Sequence, residues 1–96
     1  MLETWHGDSN QFTDYIAGSF ATQGKLAELH LNINRLPQSA IDAILADLVT
    51  SLNISGRVTC EVNLSGAGNA APSNPTGLAN KATLVAAWGT GKVLTN

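Results

Sequence analysis

The segment that decides the fold reads Leu-Ala-Glu-Leu-His-Leu-Asn-Ile-Asn-Arg-Leu from residue 26 to residue 36. Within it, Leu29 and Leu31 alternate with polar residues, which predicts a short strand with one apolar face. Asn34 follows this strand at the point where the chain must turn, and its side-chain amide can hydrogen-bond backbone groups there. The segment therefore predicts an architecture, and it contains no reaction motif.

A helix is predicted directly after this segment, over Ala40–Leu52. Pro37 suits the entry to a helix, and Ser39 with Asp42 three residues later resembles a capping pair. Asp42 and Asp47 are left for the solvent side. The apolar residues recur at helical spacing, which predicts one buried face: Ile41, Ile44, Leu45, Leu48, Val49 and Leu52.

A second strand is predicted over residues 58–64, where Val62 and Leu64 share one face. These residues lie 33 positions after Leu29 and Leu31. If the two strands pair in parallel at this offset, their outward side chains form rows. The expected neighbours are Glu28 with Glu61, His30 with Asn63, and Asn32 with Ser65.

A loop rich in Gly, Pro, Asn and Ser is predicted over residues 65–77, with Gly66 and Gly68 supplying backbone angles that other residues reach only at a cost. A second helix is expected from about Thr76 through Trp88, with Asn74 as its cap and Pro75 as its first residue. Gly89 would end it, and Val93 and Leu94 would form a closing strand. The expected buried stripe of this helix is Leu78, Ala82, Val85 and Ala86.

The spacing of residues 26–36 fits the leucine-rich-repeat pattern L-x-x-L-x-L-x-x-N-x-L at every fixed position, and Asn69 is a loose counterpart of Asn34. The stretches 53–56, 62–73 and 77–82 resemble a C-terminal module of short leucine-rich-repeat-like proteins, common among phage particle proteins and some bacterial surface proteins. Together with the first helix, the resemblance covers residues 26–96. It implies a structural or adhesive component of a virus particle, without catalysis.

Residues 1–24 differ from the rest of the chain. They hold three acidic residues and no Lys or Arg, and four of the five aromatic residues: Trp5, Phe12, Tyr15 and Phe20. One interpretation is a cap over the open end of the first repeat, since terminal repeats must be covered. The other is an arm that anchors on another subunit, because Trp and Tyr are favoured at interfaces. Both interpretations remain open, and both place a boundary between 1–24 and 25–96.

Composition excludes several classes of function. Charged residues make up 12% of the chain and the net charge is −2, so there is no basic surface for nucleic acid. No apolar run is long enough to span a membrane, and no secretory signal is visible, so we expect a soluble protein made in a bacterial cytoplasm. The cations do not cluster, and we expect each to be a solvated surface charge: Lys25, Arg35, Arg57, Lys81 and Lys92.

The outward rows of the two strands are the candidate partner-binding surface. They comprise Glu28, His30, Asn32, Glu61 and Asn63, to which the aromatic residues of the N-terminal segment are added as candidate anchors. Two carboxylates near an imidazole can in principle hold a divalent cation, but polar residues are also ordinary on a wet sheet face. We expect no cofactor. His6 is expected to be solvated, and Cys60 is expected to be a buried apolar residue rather than a nucleophile.

These observations predict a small α/β protein. Its core would be a parallel βαβαβ leucine-rich-repeat-like unit with an N-terminal aromatic arm or cap. The expected function is that of a non-enzymatic phage virion protein, either a capsid decoration or cement protein or a small tail or fibre component. It would bind other virion proteins and copies of itself, with no nucleic acid or membrane partner. The alternative is a host-surface recognition module that binds a sugar or protein through the exposed sheet face.

Overall fold

The computed structural model describes residues 4–7, 10 and 12–96. It shows a small α/β protein with one four-stranded sheet and two helices, and all strand pairs are parallel in the order β1-β2-β3-β4. The elements in chain order are β1 (Thr4–His6), β2 (Glu28–His30), α1 (Gln38–Ser51), β3 (Glu61–Asn63), α2 (Thr76–Trp88) and β4 (Val93–Leu94).

The predicted pairing of the second and third strands is confirmed. Glu28 lies opposite Glu61, Leu29 opposite Val62, and His30 opposite Asn63. Asn32 and Ser65 follow just beyond the paired residues, where the Ile33 N–H donates to the Ser65 carbonyl at 3.0 Å. Because side chains alternate between the two faces of a strand, this register points Leu29 and Val62 into the core and leaves the polar residues outside.

The apolar face of α1 is also confirmed. Ile41, Ile44, Leu45 and Leu48 are fully buried, and Val49 and Leu52 pack against them at the margin. The predicted capping pair is wrong, since Pro37 precedes the helix and no side chain caps it. The acidic residues of α1 are not left to solvent either. One of them, Asp42, accepts a hydrogen bond from the Ser73 N–H at 2.9 Å.

The predicted buried face of α2 is wrong. Leu78 is 43% exposed, and Ala82 and Ala86 are exposed as well, whereas Leu84 and Trp88 are buried. Only Val85 of the predicted stripe packs at the edge of the core. The helix is rich in Ala, so its apolar contrast is weak, and turning Leu84 and Trp88 inward buries more apolar area than turning the alanines inward.

The N-terminus of α2 lies close to α1. A Cβ atom at Gly77 would overlap the Asp42 carboxylate and stand 2.9 Å from Cβ of Pro72, so a larger residue here would require the Asp42 side chain to move. Asn74 is not the cap. The helix begins at Thr76 after Pro75, and the Gly77 N–H donates to the Ser73 hydroxyl at 3.0 Å.

Two buried asparagines tie together the ends of neighbouring strands. The Asn34 amide donates to the carbonyls of Gly7 and Leu31, both at 2.9 Å. The Asn69 amide donates in the same way one strand further along, to the carbonyls of Leu31 at 2.9 Å and Leu64 at 3.1 Å. The two residues thus make equivalent bonds in successive turns of the chain, as their sequence positions suggested.

The turn before Asn69 requires glycine, as predicted. Gly66 and Gly68 both have φ of +98°, in the left-handed region that favours Gly. At Gly68 a Cβ atom would also stand 1.9 Å from the Asn34 carbonyl oxygen. The loop therefore serves the close packing of one chain turn on the next.

A strand at residues 4–6 was not predicted. β1 pairs with β2, with Trp5 opposite Leu29 and His6 opposite His30, so the N-terminal residues extend the sheet of their own chain. Phe20 lies in the core and Trp5 packs against it. The described residues of this segment therefore cover this end of the domain. Glu3 and Asp8, two of its three acidic residues, lie outside the described residues.

Arg57 is not the solvated surface charge that was expected. Its Nη1 atom donates to the carbonyls of Leu26 at 2.7 Å and Val58 at 2.8 Å, and its Nε atom donates to the Ser51 hydroxyl at 2.9 Å. The guanidinium also lies 4.8 Å from the centre of the Trp88 ring. This residue therefore joins both helices to the loops that lead into β2 and β3.

Candidate functional site

The outer face of the sheet carries two polar rows that cross the strands. In the first row, Thr4, Glu28 and Glu61 are neighbours. In the second row, His6, His30 and Asn63 are neighbours, and Leu94 follows at the far edge. The structure thus brings Glu28, His30, Glu61 and Asn63 together as predicted, while Asn32 lies just past the end of β2.

His6 is the residue of this face that the sequence analysis missed. Its ring stacks on that of His30, with 4.4 Å between centroids and 13° between planes. Its Nε2 atom lies 3.8 Å from the Glu28 carboxylate. The side chain is 49% exposed, so the expected solvated histidine is only half solvated. The alternation of Thr4, Trp5 and His6 was the available signal, but three residues are too few to define a strand.

Among the described residues, His6, Glu28 and His30 form a group that can hold a metal ion. One ligand atom from each lies within 4.8 Å of the other two. The Nε2 atom of His30 is buried and has no hydrogen-bond partner in the described part of the chain. Two imidazoles and one carboxylate form a donor set that suits transition metals such as zinc better than magnesium or calcium.

The predicted aromatic anchors form one cluster at the β1 end of the domain. The ring of Trp5 lies 6.0 Å from that of Phe12 and 6.2 Å from that of Phe20, and Tyr15 stacks on Phe20 at 5.4 Å. Phe20 is buried, Trp5 and Tyr15 are half-buried, and Phe12 is 40% exposed. The aromatic cluster therefore has an inner side that completes the core and an outer side that meets solvent.

Asp47 of α1 holds the aromatic cluster in place. Its carboxylate accepts hydrogen bonds from the Tyr15 hydroxyl and, at 2.6 Å, from the Gly18 N–H. The Phe20 N–H in turn donates to the Tyr15 hydroxyl oxygen at 3.0 Å. Burial, together with the hydrogen bond to Asp47, raises the pKa of Tyr15 above its ordinary value, so the phenol stays protonated as a donor.

A groove of about 460 Å³ opens beside the aromatic cluster. Its wall is formed by the cluster itself, and its floor reaches Leu31, Leu36 and Ile44 of the core. Ile16 lies at the rim with 80% of its surface exposed. A large apolar side chain so exposed beside an apolar groove is typical of a surface that another molecule covers.

Cys60 is buried, as predicted. Burial raises the pKa of its thiol to about 11, although the neighbouring Arg57 acts in the opposite direction. At neutral pH the thiol is therefore protonated, which makes it a poor nucleophile.

No protein-family model matches this chain, and comparisons with curated proteins and with solved structures returned no match either. In the described part of the chain, neither helix has the length and apolar character needed to cross a membrane. The resemblance to phage leucine-rich-repeat-like modules therefore stays a prediction.

Proposed function

We propose that the protein is a non-enzymatic structural module that acts by assembling with other protein chains, including copies of itself. The observation that carries this proposal is the apolar groove beside Trp5 of the outer strand β1, with Phe12 and Ile16 exposed in the segment that follows this strand. Outer strands offer unpaired backbone groups to a neighbour. Here the outer strands β1 and β4 span only three and two residues, so side-chain contacts must supply most of the affinity.

The finer architecture that we propose is a leucine-rich-repeat-like stack. Two observations support it: β2 and β3 pair at an offset of 33 residues, and Asn34 and Asn69 make equivalent hydrogen bonds. In such a stack each repeat contacts only its neighbours, and short stacks need caps or partners at both ends. The aromatic cluster covers the β1 end incompletely, and β4 borders the other end.

The N-terminal and C-terminal segments have complementary charges in the sequence, which favours a second copy as the occupant of the groove. Residues 1–24 contain three acidic residues and no cation, whereas residues 62–96 contain Lys81 and Lys92 and no acidic residue. At the β4 end, Leu94 is 45% exposed. A head-to-tail contact would place β4 of one copy beside β1 of the next. Contacts of this heterologous kind build rings or filaments.

Repeated head-to-tail assembly suits a particle component. We accordingly propose a role in a phage virion, as a capsid decoration or cement protein or as a small tail or fibre component. The partners would be other virion proteins and further copies of this chain.

Charge substitutions at the two ends test this proposal. Ile16→Lys puts a cation in the acidic N-terminal segment, and Leu94→Glu puts an anion in the C-terminal segment whose charged residues are lysines. In sedimentation experiments over a concentration series, the wild-type chain should form oligomers and each variant alone should remain monomeric. A mixture of the two should form a 1:1 dimer, because each variant keeps the end that the other lacks. Ala46→Lys, on the exposed side of α1, is the control and should assemble normally.

A wild-type chain that stays monomeric throughout the series would refute self-assembly. Oligomers that persist in both single variants would refute the proposed ends. A mixture that fails to form the dimer would show that the contact is not head-to-tail.

A second candidate function is recognition of a host-surface sugar or protein through the polar rows. The side-by-side placement of Glu28 with Glu61 and of His30 with Asn63 favours it. Under this alternative, the double substitution Glu61→Ala and Asn63→Ala would abolish binding to host cells and leave sedimentation unchanged.

A further inference from the structure

The register of β1 and β2 places three metal-ligating side chains on one side of the sheet. His6 lies opposite His30, and Glu28 precedes His30 by two residues, so the three side chains project from the same face. Their ligand atoms lie within 4.8 Å of one another. Small side-chain rotations can bring such atoms to the spacing found around a tetrahedral ion bound at about 2.0 to 2.2 Å.

We propose that His6, Glu28 and His30 form a binding site for a transition-metal dication, with Zn²⁺ as the ion of choice. Imidazole nitrogen suits zinc, copper and nickel, whereas sites for calcium and magnesium are built from oxygen ligands alone. Three protein ligands leave a coordination position open on the exposed side. Water or a donor from a bound partner can fill it.

The unpartnered nitrogen of His30 is an independent reason for a ligand at this position. Its Nε2 atom is buried and meets no hydrogen-bonding group among the described residues. A buried polar atom without a partner is unfavourable, and a bond to a metal ion removes that cost. His6 is on the outer strand and half exposed, so its ring can turn toward solvent if it gives up its stack on His30. Coordination requires this turn, because the two nearly parallel rings must direct their nitrogens at one point.

Metal binding at this site would fasten the N-terminal strand to the rest of the sheet. Of the three ligands, one comes from β1 and two come from β2. An ion that binds the folded state stabilises it by mass action, and here the stabilisation would include the β1–β2 pairing.

Calorimetric titration of the full chain with Zn²⁺ tests the site. We expect a 1:1 complex with a dissociation constant of about 10 µM or tighter. His6→Gln and Glu28→Gln should each weaken binding by about tenfold or more, since even residues that only support ligands cost about that much when replaced. Glu61→Gln is the matched control. It removes the same charge from the same face without removing a ligand, so its affinity should stay within about threefold of wild type.

Nuclear magnetic resonance of the histidine rings supplies a second readout. Zn²⁺ should shift the ring signals of His6 and His30 together in the wild-type protein, and folded Glu28→Gln should need about tenfold more Zn²⁺, or more, to reach the same shifts. A dissociation constant weaker than about 10 µM would overturn the proposal. The proposal would also be overturned if Glu28→Gln left the affinity for Zn²⁺ unchanged, or if Glu61→Gln lowered that affinity as much as Glu28→Gln does. Self-assembly is measured separately by sedimentation in the presence of a chelator, so failure of either proposal is distinguishable from failure of the other.

Discussion

Replacing Asn69 by Ala should be among the most damaging single changes in this protein. The Asn69 side chain is buried, and its Oδ1 atom accepts a hydrogen bond from the buried Leu36 N–H at 3.1 Å. Its amide donates to the carbonyls of Leu31 and Leu64. After truncation the Leu31 carbonyl still accepts from Asn34, but the Leu36 N–H and the Leu64 carbonyl lose the partner that Asn69 provides.

The magnitude follows from these bonds. A buried donor or acceptor left without a partner costs about 1 to 3 kcal/mol, and an ordinary lost hydrogen bond costs about 1 kcal/mol. Leaving two groups without a partner and losing one further hydrogen bond add up to a decrease of about 3 to 7 kcal/mol in the free energy of unfolding. A domain of this size has a total of about 5 to 14 kcal/mol. Asn69→Ala should therefore fold only marginally.

Urea denaturation followed by far-UV circular dichroism measures this change, with the slopes against urea compared to confirm two-state unfolding. Asn32→Ala is the matched control, because Asn32 is only partly buried and its side chain makes no hydrogen bond within the described part of the chain. Its effect should stay below about 0.5 kcal/mol. A loss of less than about 1 kcal/mol for Asn69→Ala would refute the argument that this amide ties successive chain turns together.

Two further predictions concern the interior. The pKa of Cys60 is raised from 9.0 to about 11, so the folded state retains the thiol proton that the unfolded state loses, and stability should fall as pH rises from about 9 to 11. This decrease in the free energy of unfolding, on the order of 2 to 3 kcal/mol, should be absent from Cys60→Ala when urea unfolding is measured as a function of pH. A pH profile that is the same in Cys60→Ala and wild type would contradict the raised pKa. Arg57→Lys should lower the free energy of unfolding by about 2 to 3 kcal/mol, because Lys cannot reproduce the bond to Ser51 and the ring contact with Trp88. Exposed Arg35→Lys should change it by less than about 0.5 kcal/mol, and equal effects of the two substitutions would count against a structural role for Arg57.

Much of the candidate site was predictable because the register between β2 and β3 could be predicted from the sequence. The alternation around Leu29 and around Val62, together with their common offset, places Glu28 beside Glu61 without any knowledge of the tertiary structure. The aromatic residues at the N-terminus were visible as candidate anchors, but their mutual contacts were not. Those contacts depend on Asp47, a residue of α1 that binds Tyr15 across 32 positions of sequence.

The sequence by itself determined the features that repeat over short distances. The helical period of α1, the alternation in β2 and β3, and the glycines of the turn before Asn69 all follow from the local geometry of the backbone. A local pattern needs enough residues to repeat. The alternation at β2 and β3 continues past the three residues of each strand, to Leu31 and Leu64.

Only the tertiary structure decided the pairing of β1 with β2, the face that α2 buries and the meeting of His6 with Glu28 and His30. Three residues in β1 cannot show a period, and the alanines of α2 give its faces nearly equal apolar character. In both cases the free-energy differences arise from contacts between residues distant in sequence. Those contacts exist only once the chain has folded.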